Sequence, residues 1–170
     1  TYTTELMSVA MLSAALSGNQ AAWAELAKVP AWMKQTLKQS DFIAEAAQRY
    51  RYMDQTVVLG RGFNYATAYE WALKLKELTY IIAEPYSSAD FAHGPIAIVE
   101  SGYPVFAVAP KGKVFASMLE TLKRLRGDIS AELVVISNEK RALSLAQVPL
   151  QVPDDLPEWI SPLVSILPAQ

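Results

Sequence analysis

The chain has 170 residues, of which 52% are apolar and 19% charged, so it has the size and composition of one globular domain with a single core. A net charge of -2 gives no general attraction to nucleic acid or to anionic lipid, and we expect neither nucleic acid nor membrane as a partner. With no cysteine and one histidine, the sequence excludes a disulfide scaffold and thiol catalysis and argues against a protein zinc site, so we expect no metal and no cofactor.

The first part of the chain, residues 1–54, has helical spacing and no strand pattern. The apolar residues whose spacing fits a first helix are Leu6, Val9, Ala10 and Leu16. Pro30 suits the first turn of a second helix, and Ser40 or Asp41 can cap a third. The amino terminus has no basic leader, and no apolar run approaches the ~20 residues that span a bilayer. We therefore expect a helical lead-in of a soluble, cytoplasmic protein and, since the sequence starts without methionine, a segment of a longer chain.

From residue 56 onward, short apolar runs alternate with segments of helical character. The runs are "TVVLG", "TYIIAE", "PVFAVAP" and "ELVVIS". Because they are continuously apolar, they are typical of parallel strands covered by helices on both faces. The sequence predicts an α/β fold, a three-layer αβα sandwich with a parallel sheet, whose core lies in residues 55–150. Residues 151–170 are predicted to form a C-terminal helical segment of the same domain.

Gly60 and Gly62 lie between the first predicted strand and the helix that follows, where open α/β sheets bind ligands. A dinucleotide fingerprint would need a third glycine where Tyr65 stands, and no P-loop lysine follows, so nucleotide binding has weak support. Two alternatives remain open. The glycines permit a tight turn with Asn64 capping the helix, or the start of the helix holds a phosphate or carboxylate.

An α-helix rotates by about 100° per residue. In the same predicted helix, the side chains of Glu70, Lys74 and Glu77 therefore lie within ~60° of one another around the helix axis. The opposite face carries Ala68, Trp71, Ala72 and Leu75. By geometry alone the charged face is compatible with a solvated surface, stabilised by ~0.2–0.5 kcal/mol for a Glu–Lys pair four residues apart. Geometry alone favours this solvated surface, and a site that a partner covers remains the alternative.

His93, the only histidine, precedes a Gly-Pro pair that marks a turn. A loop histidine of this kind is compatible with an ordinary surface group or with a catalyst. The residues around His93 do not decide between these two roles.

The segment "LGRGFNYATAYEWALKLKELTYIIAEPYSSADFAHGPIAIVESGYPVFAVAP" carries "GRG", "ALKLKE" and "HGP" in order. It resembles the second sugar isomerase (SIS) domain of glucosamine-6-phosphate synthase-like proteins, which are sugar-phosphate isomerases related to glutamine–fructose-6-phosphate aminotransferases. The resemblance implies a flavodoxin-like SIS fold, half of a two-SIS-domain unit, a homodimer and a phosphorylated hexose or amino sugar as substrate. SIS domains also occur in deaminases and in sugar-phosphate-sensing regulators.

The resemblance implies that Glu77 is the general base and that His93 assists opening of the sugar ring. An aldose–ketose isomerisation moves a proton between adjacent carbons, so one base must reach both carbons and another group must serve the ring oxygen. Lys74 would favour the ionised form of Glu77, whereas enclosure by a partner would disfavour it. Glu70 is expected to hold Lys74 in place.

Several positions depart from the family pattern. Ala89, Asp90 and Ala92 replace the residues usual before the histidine, and Trp71 replaces a glycine, so we expect an altered lining of the site. The Ser/Thr-rich phosphate loop of the family's first SIS domain is also missing, and the site is expected to be incomplete in this chain. The sequence thus favours half of an isomerase or amino-sugar-converting enzyme, with a non-catalytic sugar-phosphate-sensing or regulatory module as the alternative.

Overall fold

A computed structural model describes residues 1–170, and at its centre lies one five-stranded parallel sheet. The strands are β1 (Gln55–Gly60), β2 (Ile82–Ser87), β3 (Pro104–Val108), β4 (Glu132–Ser137) and β5 (Val148–Gln151). Their order across the sheet is β2-β1-β3-β4-β5, and every neighbouring pair is parallel. The outer strands each contain a proline, Pro85 in β2 and Pro149 in β5. The predicted fold class is confirmed.

Helices cover both faces of the sheet. They are α1 (Tyr2–Ser17), α2 (Gln20–Leu26), α3 (Val29–Thr36), α4 (Ser40–Ala47), α5 (Asn64–Thr79), α6 (Ser88–Ala92), α7 (Phe115–Arg124), α8 (Lys140–Leu143) and α9 (Ser161–Ser165). Short 3₁₀ turns occupy residues 37–39, 48–50 and 95–98, and a π-helical turn, Leu125–Ile129, follows α7. None of these helices combines the length and apolar character needed to cross a membrane.

The helical lead-in follows local rules at most of its boundaries. Gly18 ends α1 in a left-handed conformation with φ 62°, and the side chain of Asn19 accepts hydrogen bonds from the first amides of α2. Pro30 lies in the first turn of α3, as predicted. The predicted cap of α4 is wrong, because Ser40 is already helical and its hydroxyl donates to the carbonyl of Leu37.

Two apolar clusters form the core, one on each side of the sheet, because successive strand residues point to opposite faces. Val58 packs with Phe106 and the lead-in helices, whereas Val57 and Leu59 pack with α7 on the other side. Trp71 of α5 stacks on Phe106 with ring centroids 4.9 Å apart and planes 21° apart. This contact fixes which face of α5 turns toward the sheet.

The direction of α5 decides where its charged residues lie. The helix starts just after the carboxyl end of β1 and returns to the amino end of the sheet, where the N–H of Ile82 donates to the carbonyl of Asp54 at 2.9 Å. Tyr80 ends the helix in a left-handed conformation with φ 59°. The last turn of α5 therefore lies near the beginnings of β1 and β2.

Candidate functional site

The turn between β1 and α5 depends on its glycines. A Cβ on Gly60 would lie 2.3 Å from the backbone oxygen of Asn64, so only glycine lets the helix approach the strand this closely. Gly62 has a left-handed φ of 60°, which glycine adopts without strain. These contacts support the tight-turn interpretation of the two glycines.

Asn64 does not cap α5, and that part of the prediction is wrong. Asn64 is the first helical residue and is buried, with 2% of its surface exposed. Its Nδ2 donates to Ser161 Oγ at 2.7 Å, and its Oδ1 accepts from Thr67 Oγ1 at 3.1 Å. The Ser161 hydroxyl in turn donates to the carbonyl of Glu158 at 2.7 Å. A buried polar chain therefore ties the start of α5 to the segment before α9.

The charged face of α5 forms one compact cluster. Lys74 Nζ lies 2.7 Å from Glu77 Oε2 and 3.8 Å from Glu70 Oε1. The side chain of Glu77 is 48% exposed and that of Glu70 only 14%, so Glu77 is the more accessible of the two carboxylates. The hydrogen bond to Glu77 raises the pKa of Lys74; desolvation opposes that rise, and the charges of Glu77 and Glu70 add to it. Lys74 therefore stays cationic beside the accessible carboxylate.

A groove of about 580 Å³ runs beside this cluster between α1, α5 and β2. Glu70 lines it, together with Leu73 and Lys76 of α5 and Glu84 of the outer strand. Tyr2 also lines the groove, and its hydroxyl is buried without a hydrogen-bond partner. Sequence spacing did not find Tyr2 or Glu84, because they come from a distant helix and from a neighbouring strand and share no local pattern with α5.

The structure does not bring His93 to Glu77. His93 is exposed and follows α6 at the carboxyl end of β2, where its N–H donates to the carbonyl of Asp90 at 3.1 Å. Glu77 lies in the last turn of α5, at the opposite end of the sheet. The six residues of β2 alone separate these ends by about 17 Å, at ~3.3 Å per residue. Of the predicted site residues, three come together and the histidine stands apart.

The expectation that Trp71 alters the lining of the site is wrong. Trp71 is 4% exposed and belongs to the core cluster, on the face of α5 opposite Glu77. Among the other departures, Ala92 is exposed beside His93, and Asp90 is exposed in the short helix before it. These two positions, and not Trp71, can change what surrounds the imidazole.

Comparison with known proteins gives consistent similarities. The SIS domain family profile matches residues 50–146. The isomerizing glutamine–fructose-6-phosphate aminotransferase of Thermococcus kodakarensis is 33% identical over 179 residues, which cover 100% of this chain and 29% of that protein. The fold is similar to the C-terminal domain of glucosamine-fructose-6-phosphate aminotransferase from Francisella tularensis, with a TM-score of 0.82 and 29% identity, over 90% of this chain and 44% of that one.

A more distant similarity concerns the fold alone. Glucosamine-6-phosphate deaminase from Thermotoga maritima has a TM-score of 0.68 at 21% identity, over 99% of this chain and 48% of that one. Among the curated relatives, the chain spans between 24% and 30% of the length of the proteins that it matches. The similarity therefore covers one unit of larger proteins.

Proposed function

Because the chain belongs to the SIS domain family, we propose that it supplies the base of a site that interconverts the aldose and ketose forms of a phosphorylated hexose or amino sugar. The observation that carries this proposal is the half-exposed carboxylate of Glu77, held at 2.7 Å by Lys74 on a helix face that turns away from the core. Sugar-phosphate enzymes among the relatives support the substrate class.

Glu77 acts as the general base in this proposal. A carboxylate takes the proton from one carbon of the open-chain sugar and returns it to the neighbouring carbon, and the enediol-type intermediate needs only one such group. The contact with Lys74 limits the rotamers of Glu77, which keeps the oxygen that accepts the proton in place. Glu70 fixes Lys74 from the other side.

In this proposal His93 serves the ring oxygen, and its distance from Glu77 supports an arrangement in which the imidazole comes from a second SIS unit. The outer face of α5 supports such an association, because exposed apolar side chains surround the charged cluster there. They are Tyr69, Leu73, Tyr80 and, at the start of β2, Ile82. We propose a homodimer, or a pair of SIS domains, in which Glu77 of one unit and His93 of another share a sugar phosphate.

Mixing two inactive variants tests this arrangement. In the intact protein that contains this chain, Glu77→Gln should abolish exchange of the sugar C2 proton with solvent, whereas substrate affinity changes little. His93→Asn should slow turnover of the cyclic sugar more than turnover of an open-chain analogue. Each loss is expected to be about 10²- to 10⁴-fold, the usual range for a general acid or base. Dimers that contain one subunit of each variant should regain activity, because one of their two sites contains an unchanged Glu77 and an unchanged His93.

Glu120→Gln provides the control, because Glu120 lies on the exposed side of α7, paired only with Lys123, and its change should leave turnover unaltered. Mixed subunits without any recovery would show that the two groups do not act across units. Unchanged proton exchange in Glu77→Gln would remove Glu77 from the base role. Sugar-phosphate binding without turnover in the intact protein would favour the sensing or regulatory alternative.

A further inference from the structure

The outer face of α1 is apolar although it is exposed. Residues 6–17 contain no Asp, Glu, Lys or Arg, and the only charged side chain of the helix is that of Glu5. Val9, Leu12 and Leu16 are 64%, 58% and 80% exposed. A helix that met only water would carry charged and polar side chains on this face, so the composition of α1 indicates a surface that another molecule covers.

The exposed residues form one stripe that the core does not use. The inner side of α1 packs on the core with Leu6, Met7, Ala10 and Ala14. At about 100° per residue, four other positions fall within ~60° of one another on the side turned away from the core. This outer stripe consists of Glu5, Val9, Leu12 and Leu16. Its spacings of four, three and four residues are those of helices that pack along one another in coiled coils.

The side chains beside the outer stripe permit close contact with another helix. Ser8 and Ala15 flank the stripe and are small, and the distance between packed helices depends on the size of the side chains at the contact. The hydroxyl of Ser8 donates to the carbonyl of Thr4 at 3.0 Å, so this donor remains satisfied when water is removed. The surface around the stripe therefore suits an uncharged, apolar helix as its partner.

We propose that the outer stripe pairs with the outer stripe of a second copy of this chain, with the two α1 helices antiparallel. Val9 of each copy then faces Leu12 of the other, and Leu16 packs beside the aliphatic part of Glu5. The same residues are used on both sides, as an isologous interface with twofold symmetry requires. A parallel pair would place the two Glu5 carboxylates side by side, whereas the antiparallel pair separates them by about 16 Å, at ~1.5 Å per residue.

The interface extends from α1 toward α5. A helix of 16 residues is about 24 Å long and about 10 Å wide, so its face covers about 240 Å², well below the ~800 Å² that each partner buries in a stable complex. The groove between the two helices continues the apolar surface, because Tyr69 and Leu73 line it together with Tyr2 and are 53% and 43% exposed. A partner on the outer stripe thus lies next to the groove that contains Glu70.

Light scattering on residues 1–170 tests this surface. The unchanged chain should be a dimer, and Leu12→Glu should weaken dimerisation at least about 100-fold, because two unpaired carboxylates enter the interface. Leu16→Glu, at the most exposed position of the stripe, should act in the same direction and protects the test if Leu12→Glu does not fold. Leu37→Glu is the matched control: Leu37 is 53% exposed but lies outside α1, so its change should leave dimerisation unaltered.

Cross-linking tests the direction of the helices. The chain contains no cysteine, so each introduced thiol is the only one. A short thiol-specific cross-linker should join Glu5→Cys to Leu16→Cys when the two variants are mixed, since these positions face each other in the antiparallel pair. Neither variant should cross-link with itself, because its two thiols are then about 16 Å apart along the helices.

Three results would overturn the pairing. They are an unchanged chain that stays monomeric, which would assign α1 to a partner other than a second copy, a dimer that persists in folded Leu12→Glu and Leu16→Glu, and equal weakening by Leu37→Glu. Cross-linking of Leu16→Cys with itself, and not with Glu5→Cys, would overturn the antiparallel direction. The pairing does not depend on the function proposed above, and no sugar is present in these measurements, so failure of the isomerisation leaves their result unaffected.

Discussion

The buried contact between Asn64 and Ser161 should be one of the most sensitive polar interactions in the fold. Both residues are almost fully buried, with 2% and 0% of their surfaces exposed, and Thr67, the other partner of Asn64, is 0% exposed. Asn64→Ala removes the two hydrogen bonds and leaves the Thr67 hydroxyl without its acceptor. A net loss of ~1 kcal/mol for each bond, together with ~1–3 kcal/mol for a stranded buried group, gives an expected destabilisation of about 3–5 kcal/mol.

Urea denaturation of residues 1–170 measures this loss. The free energy of unfolding should be determined for Asn64→Ala, for Ser161→Ala and for the double variant. Because removal of both partners leaves fewer stranded groups, the double variant should lose about 1–2 kcal/mol less than the sum of the single losses. Gln35→Ala, at an exposed position of α3, should change stability by less than about 0.5 kcal/mol. A loss below about 1 kcal/mol for Asn64→Ala, or strictly additive losses, would refute the argument.

Three further predictions concern α5 and its surroundings. Gly60→Ala should destabilise the chain by about 2–3 kcal/mol in the same urea assay, because the new Cβ meets the backbone of Asn64 and that backbone cannot move freely. Lys74 has a folded-state pKa above its ordinary value of 10.5, so its ion pair with Glu77 contributes fully below that value and is lost as the pH rises through the folded pKa. In an NMR titration, Glu77→Gln should therefore lower the pKa of Lys74, and an unchanged pKa would contradict the contact. Residues 1–170 alone should form a dimer by light scattering without turnover of fructose 6-phosphate or glucosamine 6-phosphate, whereas a monomer with ordinary enzymatic turnover would show that a complete site lies within the chain.

The fold class could be predicted because the central strands are covered on both faces and are continuously apolar, as in "TVVLG" and "ELVVIS". The fifth strand was missed. It is only four residues long, contains a proline and buries two alternate residues, Val148 and Leu150, so its pairing with β4 left no distinctive local pattern. The start of β2 was predicted three residues early, because the apolar Ile81 follows the left-handed Tyr80 in the turn and does not belong to the strand.

The candidate site was predictable only in part. Helical spacing correctly placed Glu70, Lys74 and Glu77 on one face, since contacts within one helix depend on local geometry. The separation of His93 follows from topology instead: a crossover helix runs antiparallel to its strands, so the end of the helix and the end of the next strand lie at opposite edges of the sheet. That rule could have revealed the separation from the sequence. The contact of Glu158 with Lys113 joins residues 45 positions apart and has no local signal.

The prolines of the two outer strands restrict how the molecule can assemble. A partner that adds a strand to a sheet needs an unbroken row of backbone donors and acceptors along the exposed side of the last strand. Pro85 and Pro149 have no N–H, and proline is tolerated in a strand where the missing donor faces away from the sheet, so both outer rows are interrupted near their middle. Addition of a further strand is therefore disfavoured at both edges of the sheet. Edge-to-edge aggregation of the free chain is disfavoured for the same reason. Association must therefore use side-chain surfaces, and orientation between units is set by helix packing and not by strand register.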